Sequence, residues 1–514
     1  MENEDNIQRV LIFQGGGALG AYEAGVYKGL YEWFIELDKK YDRDNKPLFD
    51  IVAGTSIGSI NAAILTSYVK ENKTFEGSAE HLINFWKYLS TESSIDKNSF
   101  FYNWWSYVSS INKKISSAES ARRYYTTKEF IFTGVPNVFK PPKPQFDYKF
   151  LDAMNILYQC DNKPLKESLE KFAKFPIATS FDNNEPRLIL LSVDVQEGIP
   201  IVFDSYETED GTRKSEYVYF GKNVKFNKQE KHEYVVRYDD GVKSDFVMAS
   251  SSYPINFPYT ELEVEERITA IDNSLKEKST QSTPQKIRKI TKYFWDGGIM
   301  INTPLKEVLV LHGRYWSRVK KSHDIPPLRI CIVNLHPINH DSVPFDMDGI
   351  IERKNDLLYH DKTEFDELAS LLISDYVTLS QYFIDLAEKN GISRDLIEIL
   401  LAQKCRSLQW IGNQQNLTYG DLLKGKPKID FITRIQRKND PDEIANKVFD
   451  FSIKTLTKLI NDGYKETMEQ TPGIEKEFLE QLNEVKKQRE EFNKREEDVR
   501  KKLLGKGKNN QTTI

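Results

Sequence analysis

The chain has few cysteines and no long apolar segment, and both absences restrict what it can be. Its 3 cysteines in 514 residues are odd in number and far apart, so they do not form a disulfide framework. No run of 18 apolar residues occurs, so no segment is predicted to span a membrane. The opening residues MENEDNIQRV are acidic and lack the apolar stretch of a secretory signal. We therefore expect a cytoplasmic protein.

The sequence also lacks a strong charge bias and a clear metal-ligand pattern. A formal net charge of −5 gives no sign of nucleic-acid binding. His336 and His340 are four residues apart, but Pro337 between them argues against a helix that would present both to a metal. We expect no metal, no cofactor and no nucleic acid partner. The length predicts two or three structural units.

The clearest chemical signal is a serine between two glycines. The segment FDIVAGTSIGSINAAIL has an apolar strand, the turn Gly54-Thr55-Ser56-Ile57-Gly58 and then a helical pattern. A strained strand-to-helix turn presents a serine hydroxyl outward, where a base can activate it. Gly54 and Gly58 supply the small residues that such a nucleophile elbow needs. An ordinary βα turn can have the same sequence, so the motif needs support from elsewhere.

A glycine-rich loop near the start of the chain provides some of that support. A predicted strand, Arg9 to Gln14, leads into Gly15, Gly16 and Gly17 and then a helix from about Leu19. Unpaired N–H groups at a helix N-terminus attract anions, and the oxyanion of ester hydrolysis is such an anion. The spacing G-x-G-x-x-G also fits dinucleotide binding, which requires an acidic residue at the end of the next strand. Here that strand ends in the elbow serine instead.

A third signal is the aspartate in TKYFWDGGIMINTPL, where a strand-like run ends at Asp296. An aspartate within hydrogen-bond reach can deprotonate a serine directly. The D-G pair is also a common turn. The competing arrangement is a triad in the chain order Ser56, Asp296, His312. His312 lies in a predicted helix, whereas a triad histidine usually lies on a loop after a strand, so a dyad is favoured.

Together these blocks, with VMASSSYPINFP at 247–258 as a fourth, resemble the patatin-like acyl hydrolase family over roughly residues 8–310. The resemblance implies a three-layer α/β/α fold with a central, mostly parallel sheet. It also implies that Ser56 is the nucleophile, that Asp296 is its only partner, and that the oxyanion hole comes from three glycines, Gly15, Gly16 and Gly17.

The reaction implied by the resemblance is hydrolysis of lipid acyl esters, of phospholipase A or lysophospholipase type, through an acyl-enzyme. The same acyl-enzyme could pass its acyl group to an alcohol, which would make the protein an acyltransferase. A catalytically idle lipid-binding or scaffold protein is the third alternative. The lipid substrate is expected to be met at a membrane surface, by peripheral association.

The rest of the chain is predicted to extend this domain. Residues 8–310 would form the catalytic domain, with an insertion at about 91–164, and residues 311–470 a mostly helical extension. Two strands, Leu328 to Leu335 and the segment KIDFITRIQR, are predicted beyond residue 310. The insertion contains FFYNWWSY at 100–107, which predicts packing against the core or, alternatively, an interfacial lid. The polar stretch from Val264 to Tyr293 predicts a solvated excursion.

The last segments are charged. In residues 474–507 eight positions follow alternating spacings of four and three, and all but Arg489 and Glu496 are apolar, which allows a coiled-coil seam and hence a homo-oligomer through this C-terminal helix. A solvated amphipathic helix is the alternative. Residues 508–514 are predicted to be disordered.

Overall fold

One large mixed sheet organises the protein. The computed structural model describes residues 6–41, 46–96, 99–112, 115–141, 160–223, 228–271, 286–322, 324–340, 343–405, 418–424 and 428–509. The chain divides into a compact unit over Met1–Glu466 and a second unit over Thr467–Ile514. The strands in chain order are β1 (Gln8–Phe13), β2 (Ile51–Thr55), β3 (Arg187–Asp194), β4 (Ile199–Asp204), β5 (Lys214–Asn223), β6 (Lys228–Arg237), β7 (Thr260–Ile271), β8 (Lys286–Asp296), β9 (Leu328–Asn334) and β10 (Ile429–Gln436).

The sheet order is β10-β9-β1-β2-β3-β8-β7-β6-β5, and β4 pairs with β3 outside this path. The five strands from β10 to β3 are parallel, whereas the pairs from β3 to β5 are antiparallel. Helices lie on both sides, so the predicted α/β/α fold with a helical C-terminal region is confirmed. Parallel strands end at the same edge, so β1 and β2 deliver the glycine loop and the elbow to one place.

The helices of the described ranges lie in the connections between these strands and after β10. In chain order they are α1 (Gly20–Tyr41), α2 (Ile57–Asn72), α3 (Ser78–Leu89), α4 (Ser99–Ile111), α5 (Ala118–Thr133), α6 (Lys163–Phe172), α7 (Ser244–Ser251), α8 (Leu305–Arg314), α9 (Met347–Tyr359), α10 (Glu364–Lys389), α11 (Arg394–Leu401), α12 (Tyr419–Leu423) and α13 (Ile453–Asn509). Among the helices of the described ranges, none is both long and apolar enough to cross a bilayer.

The core explains why the central strands are almost wholly apolar. Every residue of β1, β2 and β3 is buried, which is expected of parallel strands covered by helices on both faces. One face packs against α8 through alternate strand residues. This cluster consists of Val10, Ile12, Ile51, Ala53, Ile189, Leu305, Val308, Leu309, Leu328, Ile330 and Ile332. Helix α2 also contacts β1, β2 and β3, so the helix after the elbow lies close to the sheet.

The predicted solvated excursion is wrong for the residues that the structure describes. Strands β7 and β8 form a long antiparallel ribbon in which Thr260 is opposite Phe294. The polar residues of the ribbon pair across the strands, as in the ion pair of Glu266 with Arg288, which lie opposite each other. Opposite charges that face each other stabilise a pair of strands. Because these two strands are polar, they lack the alternation of apolar residues by which a strand is usually predicted. Residues 272–285 lie outside the described residues.

The aromatic segment 100–107 forms most of α4, and its two faces differ. Phe101 and Trp105 pack against Tyr125 of α5. Phe100 and Trp104 are 76% and 50% exposed. The expectation of core packing is therefore wrong for the exposed face, whereas the lid function stays a prediction.

The predicted domain boundaries stay predictions, but the sheet takes two strands from beyond residue 310. Both β9 and β10 lie where strands are predicted, and β9 pairs directly with β1. The described residues of the unit Thr467–Ile514 belong to the later part of α13. The homo-oligomer through residues 474–507 stays a prediction, and residues 510–514 of the predicted disordered tail lie outside the described residues.

Candidate active site

Ser56 occupies the turn between β2 and α2 in a conformation that few residues other than glycine adopt. Its φ is 57° and its ψ is −128°, and α2 begins at the next residue. Such a backbone is strained for a residue with a side chain and is typical of a nucleophile elbow. The flanking glycines allow the turn. A Cβ on Gly54 would lie 2.3 Å from the backbone of Gly58, and one on Gly58 would lie 2.6 Å from the carbonyl oxygen of Gln14.

Two serines of α7 hold the elbow from outside. The Ser56 N–H donates to Ser250 Oγ at 3.1 Å, and Ser251 Oγ donates to the Ser56 carbonyl oxygen at 2.9 Å. Ser250 Oγ in turn bonds to Ser59 Oγ at 2.5 Å and donates to the carbonyl oxygen of Leu191. The backbone strain is therefore stabilised by a buried hydroxyl network. The segment that contains these serines, VMASSSYPINFP, contributes to the family resemblance, but its sequence does not predict this supporting role.

Asp296 ends β8 beside the elbow. A Cβ on Gly298 would lie 3.7 Å from the Thr55 side chain, so the Asp-Gly-Gly turn packs against the strand that carries Ser56. The carboxyl group is fully buried, and its Oδ1 accepts from the Gly298 N–H at 2.7 Å. Its Oδ2 is also buried and accepts no hydrogen bond of normal geometry from any described residue.

Burial raises the pKa of Asp296 to about 7, because a charged carboxylate loses its hydration there. An interaction with the Ser56 side chain and the bond from Gly298 both oppose this rise. The Ser56 hydroxyl is thus near enough to Asp296 to favour its ionised form. It is not oriented for a normal hydrogen bond to Oδ2. A carboxyl group with a pKa near neutrality and an uncommitted oxygen can accept a proton from the serine.

The three glycines of the first loop differ in their bonds. The Gly15 N–H already donates to Asn302 Oδ1 at 2.9 Å, and a Cβ on Gly15 would lie 2.8 Å from Ser56 Cβ. Within the described part of the chain, the N–H groups of Gly16 and Gly17 donate to no acceptor. Gly17 has a φ of 55°, and a Cβ there would lie 2.5 Å from the Val448 carbonyl oxygen. The two unbonded N–H groups precede α1 and are available to an anion.

His312 does not join this site. It is buried on α8, as predicted, and its Nε2 bonds to the Pro326 carbonyl oxygen at 2.9 Å. Burial lowers the pKa of His312 to about 3, so the ring stays neutral. His312 is absent from the lining of the cavity that Ser56 and Asp296 share. The arrangement therefore favours a dyad over a Ser-Asp-His triad.

The shared cavity has a volume of about 290 Å³ and is largely apolar. Ile57, Ile60 and Leu165 line one part of it. Residues beyond 310 line much of the rest, which sequence reasoning missed because no local motif marks them. These are His336, Asn355, Tyr359, Ala445, Asn446, Lys447, Val448, Phe449 and Phe451. The cavity combines an apolar wall with a serine, a carboxyl group and free N–H groups, which suits an apolar acyl ester.

Residues 11–309 match the family described as patatin-like phospholipase. The chain is also similar to VipD from Legionella pneumophila, with 12% sequence identity and a TM-score of 0.28. That likeness covers 90% of this chain and 66% of the VipD chain, so this chain spans less than two thirds of VipD. No curated protein matches the sequence.

Proposed function

Because the chain belongs to the patatin-like phospholipase family, we propose that it hydrolyses lipid acyl esters through an acyl-enzyme on Ser56. The family supports a serine-type lipid ester hydrolase in general terms. One juxtaposition carries the finer proposal: Ser56 at φ 57° and Asp296 with an uncommitted buried oxygen line the same cavity. Phospholipase A or lysophospholipase chemistry fits this site, and transfer to an alcohol would use the same intermediate.

Acylation begins when Ser56 Oγ bonds to the ester carbonyl carbon and gives its proton to Asp296 Oδ2. The carbonyl π-electron pair moves to oxygen, and the N–H groups of Gly16 and Gly17 stabilise the resulting oxyanion. When this tetrahedral intermediate collapses, the bond to the leaving alcohol breaks. The alcohol takes the proton from Asp296, which leaves an ester between the acyl group and Ser56.

Deacylation repeats these steps with water in place of serine. The carboxylate of Asp296 accepts a proton from the water as its oxygen attacks the acyl carbon. The second tetrahedral intermediate then expels Ser56 Oγ, which recovers a proton from Asp296. The products are a free fatty acid and the regenerated enzyme.

Labelling by a fluorophosphonate probe tests the nucleophile. We expect one covalent adduct on the peptide that contains Ser56, because its hydroxyl lies beside a base and next to an oxyanion site. A panel of acyl ester lipids would then identify the substrate class. Failure of the folded protein to react with the probe would contradict the proposed enzyme and favour an idle lipid-binding protein.

The raised pKa of Asp296 predicts the pH dependence of hydrolysis. Below pH 7 the carboxyl group is protonated and cannot accept the serine proton, so kcat/KM should fall about tenfold per pH unit. Above that pH it should reach a plateau. The profile is measured with a soluble short-chain ester between pH 5 and 9. A flat profile across this range would contradict a base with a pKa near 7.

We also propose that the protein meets its substrate at a lipid surface. Helix α9 ends at Tyr359, which lines the cavity, and the two residues before it, Leu357 and Leu358, are exposed. No residue of α10 is buried. We call the exposed apolar side chains of α9, α10 and α11 the α9–α11 apolar surface. Its main members are Met347, Ile350, Leu357, Leu358, Phe365, Leu368, Tyr376, Leu379, Tyr382, Phe383, Leu386, Leu396, Ile399 and Leu400. So many exposed apolar side chains on three successive helices are typical of an interaction site.

Charge restricts the kind of membrane. Helix α10 has six acidic residues and one lysine, so an anionic bilayer would repel it. We therefore expect the α9–α11 apolar surface to bind neutral phosphatidylcholine vesicles better than phosphatidylserine vesicles at low salt. Binding to the neutral vesicles should change little when salt is added, because apolar burial does not depend on screening.

Replacing Tyr376 and Phe383 with serine should weaken this binding. The two side chains are 69% and 62% exposed, and they lie seven residues apart on one face of α10. Loss of their apolar area should lower vesicle partitioning by about tenfold or more, while hydrolysis of a soluble ester is kept. The matched control is Ile287→Ser, an exposed apolar residue on β8. Equal losses on vesicles and on the soluble ester would contradict a membrane role.

A further inference from the structure

His336 contacts the glycine loop from a part of the chain that the family match does not cover. It follows β9 and is 3% exposed. Its Nε2 lies 3.1 Å from the Gly15 carbonyl oxygen, and its Nδ1 lies 3.0 Å from Asp356 Oδ1. A carbonyl oxygen and a carboxylate can both only accept, so the two contacts are both hydrogen bonds when each ring nitrogen carries a proton. The sequence suggests no role for this histidine beyond that of a metal ligand, and Pro337 argues against that role.

The contact fixes the orientation of a peptide group. The peptide bond is planar and trans, so the N–H of Gly16 points opposite to the carbonyl oxygen of Gly15. Asn302 reinforces the same group, since its Nδ2 donates to that oxygen at 3.3 Å and its Oδ1 accepts from the Gly15 N–H. With the oxygen held by two donors, the unbonded Gly16 N–H keeps one direction. Rotation of this peptide would instead turn a carbonyl oxygen toward the substrate oxyanion.

His336 is itself held by a buried ionic cluster. Asp356 on α9 is fully buried and accepts from Lys447 Nζ at 2.9 and 3.2 Å and bonds to His340 Nε2 at 3.0 Å. Burial would raise the pKa of Asp356, but the bond to His336 and the charge of Lys447 lower it to about 2. The carboxylate therefore stays ionised and fixes the ring.

The same lysine leaves no room for a metal. Glu352, Asp356 and Glu443 are close enough together to share an ion. Lys447 Nζ bonds to all three, at 3.3 Å to Glu352 and 2.6 Å to Glu443. The ammonium group thus supplies the positive charge that the carboxyl groups need. Lys447 also begins the turn whose Val448 carbonyl oxygen lies against Gly17.

We propose that His336, oriented by Asp356, is a positioning residue that aims the Gly16 N–H at the oxyanion. The proposal rests on the hydrolase function proposed above and adds a role for residues beyond the matched family domain. The region after residue 310 would then complete the catalytic loop as well as the cavity wall. His336 does not exchange protons with the substrate in this scheme.

A pair of amide substitutions tests the proposal. In His336→Gln the side-chain amide nitrogen can take the place of Nε2, whereas in His336→Asn it can reach only the place of Nδ1. We expect His336→Asn to lower kcat by about tenfold to a hundredfold at unchanged KM, because the oxyanion is bound only in the transition state. His336→Gln should retain activity within about fivefold of the wild type.

The ratio of rates on matched oxoester and thionoester substrates separates positioning from structural damage. Sulfur accepts hydrogen bonds weakly, so a misdirected N–H should hurt the oxoester more and lower the ratio in His336→Asn. Equal losses on both substrates, or equal activity of the two variants, would overturn the proposal. Melting temperatures of both variants are measured alongside. If a fluorophosphonate labels Ser56 of the wild type, either of these two results rejects only the role of His336. If the wild type is not labelled, the proposed hydrolase fails as well.

Discussion

Replacing Ser56 with alanine is expected to lower ester hydrolysis by at least three orders of magnitude and to abolish fluorophosphonate labelling. The serine lies at the elbow with φ 57°, and the serines around it are bonded to backbone or to each other. Loss of a nucleophile removes the covalent path entirely, and only slow background hydrolysis is left. The measurement is kcat/KM on a soluble ester together with mass spectrometry of the labelled peptide.

The fold should tolerate this change. Alanine keeps the Cβ that the turn already accommodates, and the backbone bonds to Ser250 and Ser251 remain. The melting temperature should therefore stay within a few degrees of the wild type. Ser110→Ala on α4 is a matched control, since this serine is exposed and bonded only within its helix. Retention of more than about a tenth of the activity in Ser56→Ala would remove Ser56 as the nucleophile.

Asp296→Asn should be as damaging as Ser56→Ala, while His312→Gln should leave turnover within about threefold. The amide of asparagine can still accept from the Gly298 N–H, but it cannot take a proton from the serine. Members of one catalytic unit fail together. Glutamine at position 312 can keep the bond to the Pro326 carbonyl oxygen, so it tests the histidine without an empty cavity.

Stability provides an independent check on Asp296. The pKa of Asp296 is about 7 when folded, against about 3.9 in an unfolded chain, so the folded state binds the proton more tightly. The stabilising effect of this proton is complete below pH 4 and is lost as the pH rises through 7. Asparagine does not ionise, so the variant should melt no lower than the wild type at pH 8. An inactive variant with a lower melting temperature at pH 8, or loss of activity in His312→Gln with folding intact, would contradict the dyad.

Much of the candidate site could be predicted because its signals are local. The predicted strands before Gly15 and before Ser56 agree with β1 and β2 to within a residue or two at each end. Short apolar runs bounded by glycines predict such strands, and the glycines indicate positions where two backbone segments approach closely. The ribbon of β7 and β8 was missed because its stability comes from pairing across strands, which leaves no apolar periodicity in the sequence.

By itself, the sequence determined the order of the blocks, the turn that exposes Ser56 and the strand end that carries Asp296, because backbone preference acts over a few neighbouring residues. Only the tertiary structure decided that His336 meets Gly15 and that the segments around Tyr359 and Lys447 close the cavity. It also decided that burial leaves the pKa of Asp296 at about 7. These properties depend on packing between residues hundreds of positions apart, and neither a dielectric environment nor a distant contact is encoded in a local pattern.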